Sequence, residues 1–193
     1  MSTEEFWKGS FGDEYTQRNK INYRDRIPFW QKIVYETGIQ SVLEVGCNSG
    51  WNLEALRSID REMELTGVDV NQSALEEASM KGFDVEELNG QGIVGMFGDG
   101  ACDLVFTCGV LIHVAPKDLK SMMQSIVDVS RQYVLAVEYH SDRETPVEYR
   151  GNKDKLWKRN YGQLYQDMGL SLIETGNAEG FDQCTYYLLE KEQ

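Results

Sequence analysis

Basic residues are scarce in this chain: 19 lysines and arginines stand against 32 aspartates and glutamates in 193 residues, leaving a formal charge of −13. So negative a surface repels a phosphate backbone unless the few bases gather on one face, which excludes non-specific nucleic-acid binding. Histidine is scarcer still. Only His113 and His140 occur, neither at metal-ligand spacing from a cysteine, so no metal site is expected. The four cysteines, Cys47, Cys102, Cys108 and Cys184, form no CxxC pair and sit singly in apolar runs, the habit of buried free thiols and not of disulfides. No apolar run reaches the ~18–20 residues that cross a bilayer. The N-terminus, MSTEEFWKGS, is acidic and polar where a secretory leader would be basic and then apolar. A soluble cytoplasmic protein without membrane contact is the expectation. Just three prolines, Pro28, Pro116 and Pro146, interrupt the pattern, and no repeat or low-complexity linker appears, so residues 1–193 read as one domain.

What is present is core material: 41% of residues are hydrophobic and 26% charged, close to globular norms. Residues 1–40 read as amphipathic helix, with Phe6, Trp7, Phe11, Tyr15, Tyr23, Phe29, Trp30 and Tyr35 set among charges. The period then changes. Ser41 to Val45 is a short apolar strand ending in Gly46-Cys47-Asn48-Ser49-Gly50, and an amphipathic helix runs from Trp51 to about Ser58. Leu65 to Val70 forms a second strand, and Asn71-Gln72-Ser73 offers an N-cap to the helix after it. A third strand is expected near Phe83 to Leu88, then a glycine-rich segment from Gly90 to Gly100. A fourth strand follows at Asp103 to Thr107, a helix at Lys117 to Val129 and a fifth strand at Tyr133 to Glu138. Such alternation implies a parallel sheet. The last two strands, Leu170 to Glu174 and Cys184 to Leu189, are joined by a loop too short for a crossover helix, so they pair antiparallel.

In a doubly wound sheet the ligand lies beyond the carboxyl ends of the strands, where a glycine turn admits the backbone and a helix N-terminus offers amides. Glu44 to Gly50 occupies that place, spelling ExGxNxG, with Asn48 where a middle glycine is usual. Asparagine tolerates the left-handed backbone. Asp69 ends the second strand 19 residues beyond Gly50, where a carboxylate accepts the hydroxyl hydrogens of a ribose. Turn and acid together indicate an adenosine-type ligand. A nicotinamide oxidoreductase fits less well, because GxGxxG is absent.

VLEVGCNSGWNL, GVDVN and CDLVFTCGVLIHV resemble the first motif, the second motif and the fourth strand of class I S-adenosylmethionine-dependent methyltransferases. FWKGSFGDEYTQRN, GVDVNQSALEEA, GVLIHVAPKDL and above all EYHSDRETPVEYRGNKDKLWKRNYG resemble, more narrowly, the methylases associated with pseudaminic acid biosynthesis. The resemblance implies an α/β, Rossmann-like class I methyltransferase fold: a seven-stranded, mostly parallel sheet of order 3-2-1-4-5-7-6, strand seven antiparallel, with helices on both faces. It implies S-adenosylmethionine as cofactor and S-adenosylhomocysteine as product. Gly46, Cys47 and Asn48 would pass the methionine part, Asp69 would hold the ribose, and Val70 and Ile93 would pack on the adenine. Gln91 stands where many such enzymes carry an acid, and Glu44, Asn52, Gly92, Cys108 and Gly109 complete the implied cofactor set. Tyr15 and Arg18 lie in a segment, within 1–40, that caps the cofactor in similar enzymes. A guanidinium there could pair with the methionine carboxylate, although the same spacing suits a plain surface helix.

Residues 139–162 read as a substrate-side insertion. Within it Arg150, Lys153, Lys155, Lys158 and Arg159 are five of the 19 bases, with Asp154 the only acid among them. Such a cluster commonly solvates a loop. Following the fifth strand, it also suits a small anionic acceptor bound by Tyr149, Arg150, Lys155, Lys158 and Arg159: a nonulosonic (pseudaminic) acid-type sugar or its nucleotide-activated form. His113, Glu138, Tyr139 and His140 are the candidate groups to orient or deprotonate an acceptor nitrogen or oxygen. An amino acid, peptide or other natural-product acid as acceptor, or cofactor binding without catalysis, are the competing readings. The chain is expected to act as a monomer or homodimer.

Overall fold

The computed structural model describes residues 2–192. Two short helices, α1 (Thr3–Lys8) and α2 (Ser10–Arg18), meet at Gly9 and lead through a 3₁₀ turn, Tyr23–Arg26, into α3 (Ile27–Thr37). Pro28 sits in the first turn of α3, where its missing N–H costs nothing. β1 (Ser41–Val45) is buried at every position, as a strand covered on both faces must be. The alternation continues through α4 (Trp51–Ile59), β2 (Glu64–Asp69), α5 (Gln72–Met80), β3 (Asp84–Glu87), α6 (Ile93–Phe97), β4 (Cys102–Cys108), α7 (Pro116–Val129) and β5 (Ser130–Glu138). The Asn71 side chain accepts from the Ala74 N–H at 2.9 Å, the expected cap of α5.

Beyond β5 come β6 (Thr145–Tyr149), β7 (Asn152–Lys158), α8 (Tyr161–Gln166), β8 (Leu170–Asn177) and β9 (Thr185–Lys191). The main sheet runs β3-β2-β1-β4-β5-β9-β8. β1 to β5 are parallel, while β9 is antiparallel to β5 and β8. This is the expected 3-2-1-4-5-7-6 order once β6 and β7 are left out of the numbering. Those two strands form a separate antiparallel ribbon, in which Val147 pairs with Leu156 and Tyr149 with Asn152. Its two-residue loop, Arg150–Gly151, has positive φ at both positions (49° and 78°). That geometry matches the twist of a hairpin, but Arg-Gly is not one of the residue pairs that announce it.

Apolar clusters cover both faces of the sheet. α3 brings Phe29, Trp30 and Ile33 to one face. α7 brings Leu119, Met122, Met123, Ile126, Val127 and Val129 to the other, with Tyr161 and Tyr165 of α8 beside it. Burial of these side chains, at about 1.5–3 kcal/mol each, fixes the sheet. The strand order reverses between β1 and β4, so a crevice opens at their carboxyl ends.

Candidate functional site

A cavity of about 590 Å³ fills that crevice, within the ~300–1,000 Å³ of small-molecule sites. Its floor is the turn after β1. The Gly46 and Cys47 amides both donate to Val68 O, at 2.7 and 3.0 Å, bending the chain sharply. Gly46 has φ +78°, and a Cβ there would come within 2.3 Å of Val110 Cγ2, so only glycine fits. Asn48 follows at φ +46°, the left-handed conformation foreseen for it. Its N–H donates to Asp69 Oδ2 at 2.8 Å, and the Asn71 N–H donates to Asp69 Oδ1 at 2.9 Å. Asp69 is thus clamped at the end of β2; burial raises its pKa, against the pull of those amides.

Glu44 is buried and accepts from Asn52 Nδ2 at 2.6 Å through Oε1, while its Oε2 is buried without a hydrogen-bond partner. Burial pushes this carboxyl up to about 8. Asn52 Oδ1 in turn accepts from Arg26 Nη1 at 2.8 Å and from the Trp30 indole at 3.4 Å.

Helices α1 and α2 form the opposite wall. They are tied down by Asn48 Nδ2 on Thr16 Oγ1 (2.9 Å), by Asn71 Nδ2 on Asp13 Oδ1 (2.8 Å) and by an ion pair between Lys8 and Glu87. The cap presents Trp7 and Tyr15, whose rings meet edge to face at 5.2 Å. At the ends of β4 and β5, His113 stacks near Trp7 and Tyr149, with centroids 4.6 and 4.9 Å away. His113 Nδ1 lies 2.6 Å from Lys155 O; a carbonyl only accepts, so Nδ1 carries the hydrogen and Nε2 is the acceptor. Burial pushes this imidazole down to about 4. Tyr139 donates its hydroxyl to Asp182 Oδ2 at 3.0 Å, from β5 to the loop before β9.

Of the residues singled out from sequence, Tyr15, Glu44, Gly46, Cys47, Asn48, Asn52, Asp69, Val70, Gln91, Cys108, Gly109, His113, Tyr139 and Tyr149 line the cavity. The structure places the others elsewhere. Arg18 lies over the Phe11 and Tyr15 rings beside Glu14, away from the cavity. Gly92 precedes α6, and Ile93 is fully buried in the main core, so neither faces a ligand there. Glu138 is buried and accepts from the backbone N–H groups of Val110, Leu111 and Ile112, which positions the 3₁₀ turn Leu111–His113. His140 meets Tyr187 and Asp142 outside the cavity.

Nor does the basic segment line it. Arg159 is only 2% exposed and clamps Leu111 O, Val114 O and Glu144. Arg150 turns the hairpin, Lys155 lies over Phe6, and Lys158 lies over Tyr139. Charge density in sequence did not translate into one charged face, because a hairpin sends alternate side chains to opposite sides.

Sequence reasoning missed Arg26, Trp7 and Asp182, which all line the cavity. Arg26 is the only lysine or arginine among the lining residues. Its place in the predicted cap was the available signal; for Asp182, in a loop, there was none. Among the described residues no group of three or more His, Cys, Asp or Glu is arranged to hold a metal ion, and no helix is long and apolar enough to cross a membrane.

Residues 42–132 match a family described as a methyltransferase domain. No curated protein matches the chain. Among solved structures, 1,6-didemethyltoxoflavin-N1-methyltransferase of Burkholderia thailandensis, with bound S-adenosylhomocysteine, is 12% identical at a TM-score of 0.75, covering 99% of this chain and 87% of its own. Magnesium protoporphyrin IX methyltransferase of Synechocystis, with bound S-adenosylmethionine, is 13% identical at 0.67, covering 100% and 98%. The sugar N-methyltransferase KedS8 of Streptoalloteichus is 13% identical at 0.72, covering 96% and 94%. At these identities the likeness shows the fold. Together with the domain match, which runs from β1 into β5, and the sheet order around the cavity, it gives this chain the class I methyltransferase fold with a methyltransferase domain over residues 42–132.

Proposed function

We propose that the enzyme methylates a nitrogen or oxygen of a small anionic acceptor, a nonulosonic acid-type sugar or its nucleotide-activated form. The observation that carries the cofactor half is the continuous cavity joining Glu44, Asp69 and Arg26. The buried, unpartnered Oε2 of Glu44 fits the ammonium of the methionine part, and the turn that excludes a Cβ at Gly46 fits its close approach. Arg26, and not Arg18, offers a guanidinium to the methionine carboxylate. Asp69 keeps lone pairs for the ribose hydroxyls, and Gln91, whose Nε2 donates to Ser121 Oγ, has its Oε1 left to accept from the adenine beside Val70.

When bound, S-adenosylmethionine supplies a methyl group already activated by its sulfonium. The residues of the chain therefore mainly align the acceptor with that methyl group and exclude water, where good alignment is worth up to ~7–11 kcal/mol. The acceptor space lies between Cys108, His113, Tyr139 and Tyr149, under Trp7 and Tyr15. With a single guanidinium in the walls, the acceptor's anionic group would face the rim. There the hairpin that contributes Tyr149 and Leu156 also carries exposed Arg150 and Lys153. The test is transfer of labelled methyl from S-adenosylmethionine to free and nucleotide-activated nonulosonic acids, with amino acids and short peptides alongside. Labelled sugar acid supports the reading; label in the amino acids or peptides alone contradicts it.

A further inference from the structure

At the acceptor end the walls are aromatic, and their charge is negative. Trp7, Tyr15, Tyr139 and Tyr149 supply ring faces, and Asp182 supplies a carboxylate. That carboxylate is held in place by the Tyr139 hydroxyl at 3.0 Å. Among the described residues no lysine or arginine lies within salt-bridge distance of Asp182. Lys158 lies over the Tyr139 ring at 5.4 Å, and Arg26 is engaged with Asn52 Oδ1, Gly180 O and the Phe181 ring. His113 adds one ring nitrogen that accepts and none that donates. A carboxylate, π faces and a neutral acceptor nitrogen together complement a group that is positive and rich in N–H. They offer nothing to an alkoxide.

We propose that the methylated atom is the nitrogen of a primary or secondary amine, with Asp182 as the specificity-determining residue that draws it in as an ammonium. Tyr139 positions Asp182, and His113 Nε2 accepts one N–H so that the lone pair points toward the methyl group. The ammonium first gives a proton to water. Its nitrogen then forms a bond to the methyl carbon as the carbon–sulfur bond breaks, the bonding pair passing to sulfur, and the methylated ammonium sheds a second proton to water. A neutral hydroxyl carries no positive charge for Asp182 and the ring faces to draw in. The inference rests on the cofactor placement above and narrows its acceptor to an amino-bearing one.

Calorimetry on the protein saturated with S-adenosylhomocysteine, using benzylamine and its near-isostere benzyl alcohol at neutral pH, tests it. Benzylamine is expected to bind about tenfold more tightly or better. Asp182→Asn should erase that preference while leaving S-adenosylhomocysteine affinity unchanged, and Tyr139→Phe should reduce it. Equal or weaker binding of the amine, no measurable binding of either at millimolar concentration, or an undiminished preference in Asp182→Asn overturns the proposal. Failure of S-adenosylhomocysteine itself to bind overturns instead the cofactor placement beneath it.

Discussion

Glu44, the proposed partner of the cofactor's ammonium, is a buried carboxyl whose protonation would couple to binding. Burial pushes its carboxyl up to about 8, against 4.5 for an ordinary glutamate, so at neutral pH the folded, cofactor-free protein holds a proton there. Between those two values the folded chain carries a proton that the unfolded chain lacks, so this group's contribution to stability is full at low pH and is lost as pH rises through the window. An ammonium brought to Oε2 favours the carboxylate. Binding of S-adenosylmethionine near neutral pH is therefore expected to release a proton, seen as a calorimetric heat that varies with the ionisation enthalpy of the buffer. Glu44→Gln should remove that dependence, and a buffer-independent heat in the wild type would refute the placement. His113 carries the opposite sign. Its folded value of about 4 lies below the ordinary 6.5, so the unfolded chain binds the extra proton and stability rises with pH between the two. Urea unfolding at pH 5 and pH 7 should show the wild type losing about 2 kcal/mol more on acidification than His113→Gln does.

At the scale of elements, the cap and the hairpin make separable predictions. Gly12, in α2, packs so closely that a Cβ would come within 1.9 Å of Trp7 O and 2.8 Å of Asn71 Nδ2. Gly12→Ala should lift α1 and α2 off the β2–α5 corner, weakening S-adenosylmethionine binding about tenfold or more with little change in the melting of the sheet. The hairpin is docked by Arg159, whose guanidinium satisfies two loop carbonyls from inside the protein. Arg159→Met leaves them unpaired and should cost about 2–4 kcal/mol in denaturant unfolding. A residue that only bound acceptor would instead change KM and leave stability alone. These elements also mark where the sequence was legible. β1, α4, β2, the cap of α5 and the antiparallel last pair were readable, because apolar periodicity and cap chemistry are local. The short helix α6 hid among glycines, and the hairpin hid in a charged, half-exposed run with no recognised turn pair. Arg159 shows the limit most clearly: nothing local distinguishes a buried arginine from an exposed one four residues after Lys155.

For the whole molecule, the floor of the site was readable and its roof was not. Gly46, Asn48, Asp69 and Glu44 follow from one strand, one turn and the next strand, contiguous motifs whose spacing encodes their geometry. Trp7, Arg26, Tyr139 and Asp182 converge from the cap, the sheet and a distant loop, and only the tertiary fold brings them together. The acidity of the chain takes on a second sense here. A net charge of −13 discourages polyanions, and Asp182, in the role proposed for it, would extend the same preference into the cavity. The cavity beyond β1 and β2 is expected to hold S-adenosylmethionine through Glu44 and Asp69. Calorimetric titration of wild type and Asp69→Ala with S-adenosylmethionine, S-adenosylhomocysteine and NAD tests it most directly. Micromolar-order binding of the first two, none of NAD, and affinity weakened about tenfold or more in Asp69→Ala are expected; binding of NAD alone, or an Asp69→Ala protein that binds as well as the wild type, would overturn this placement.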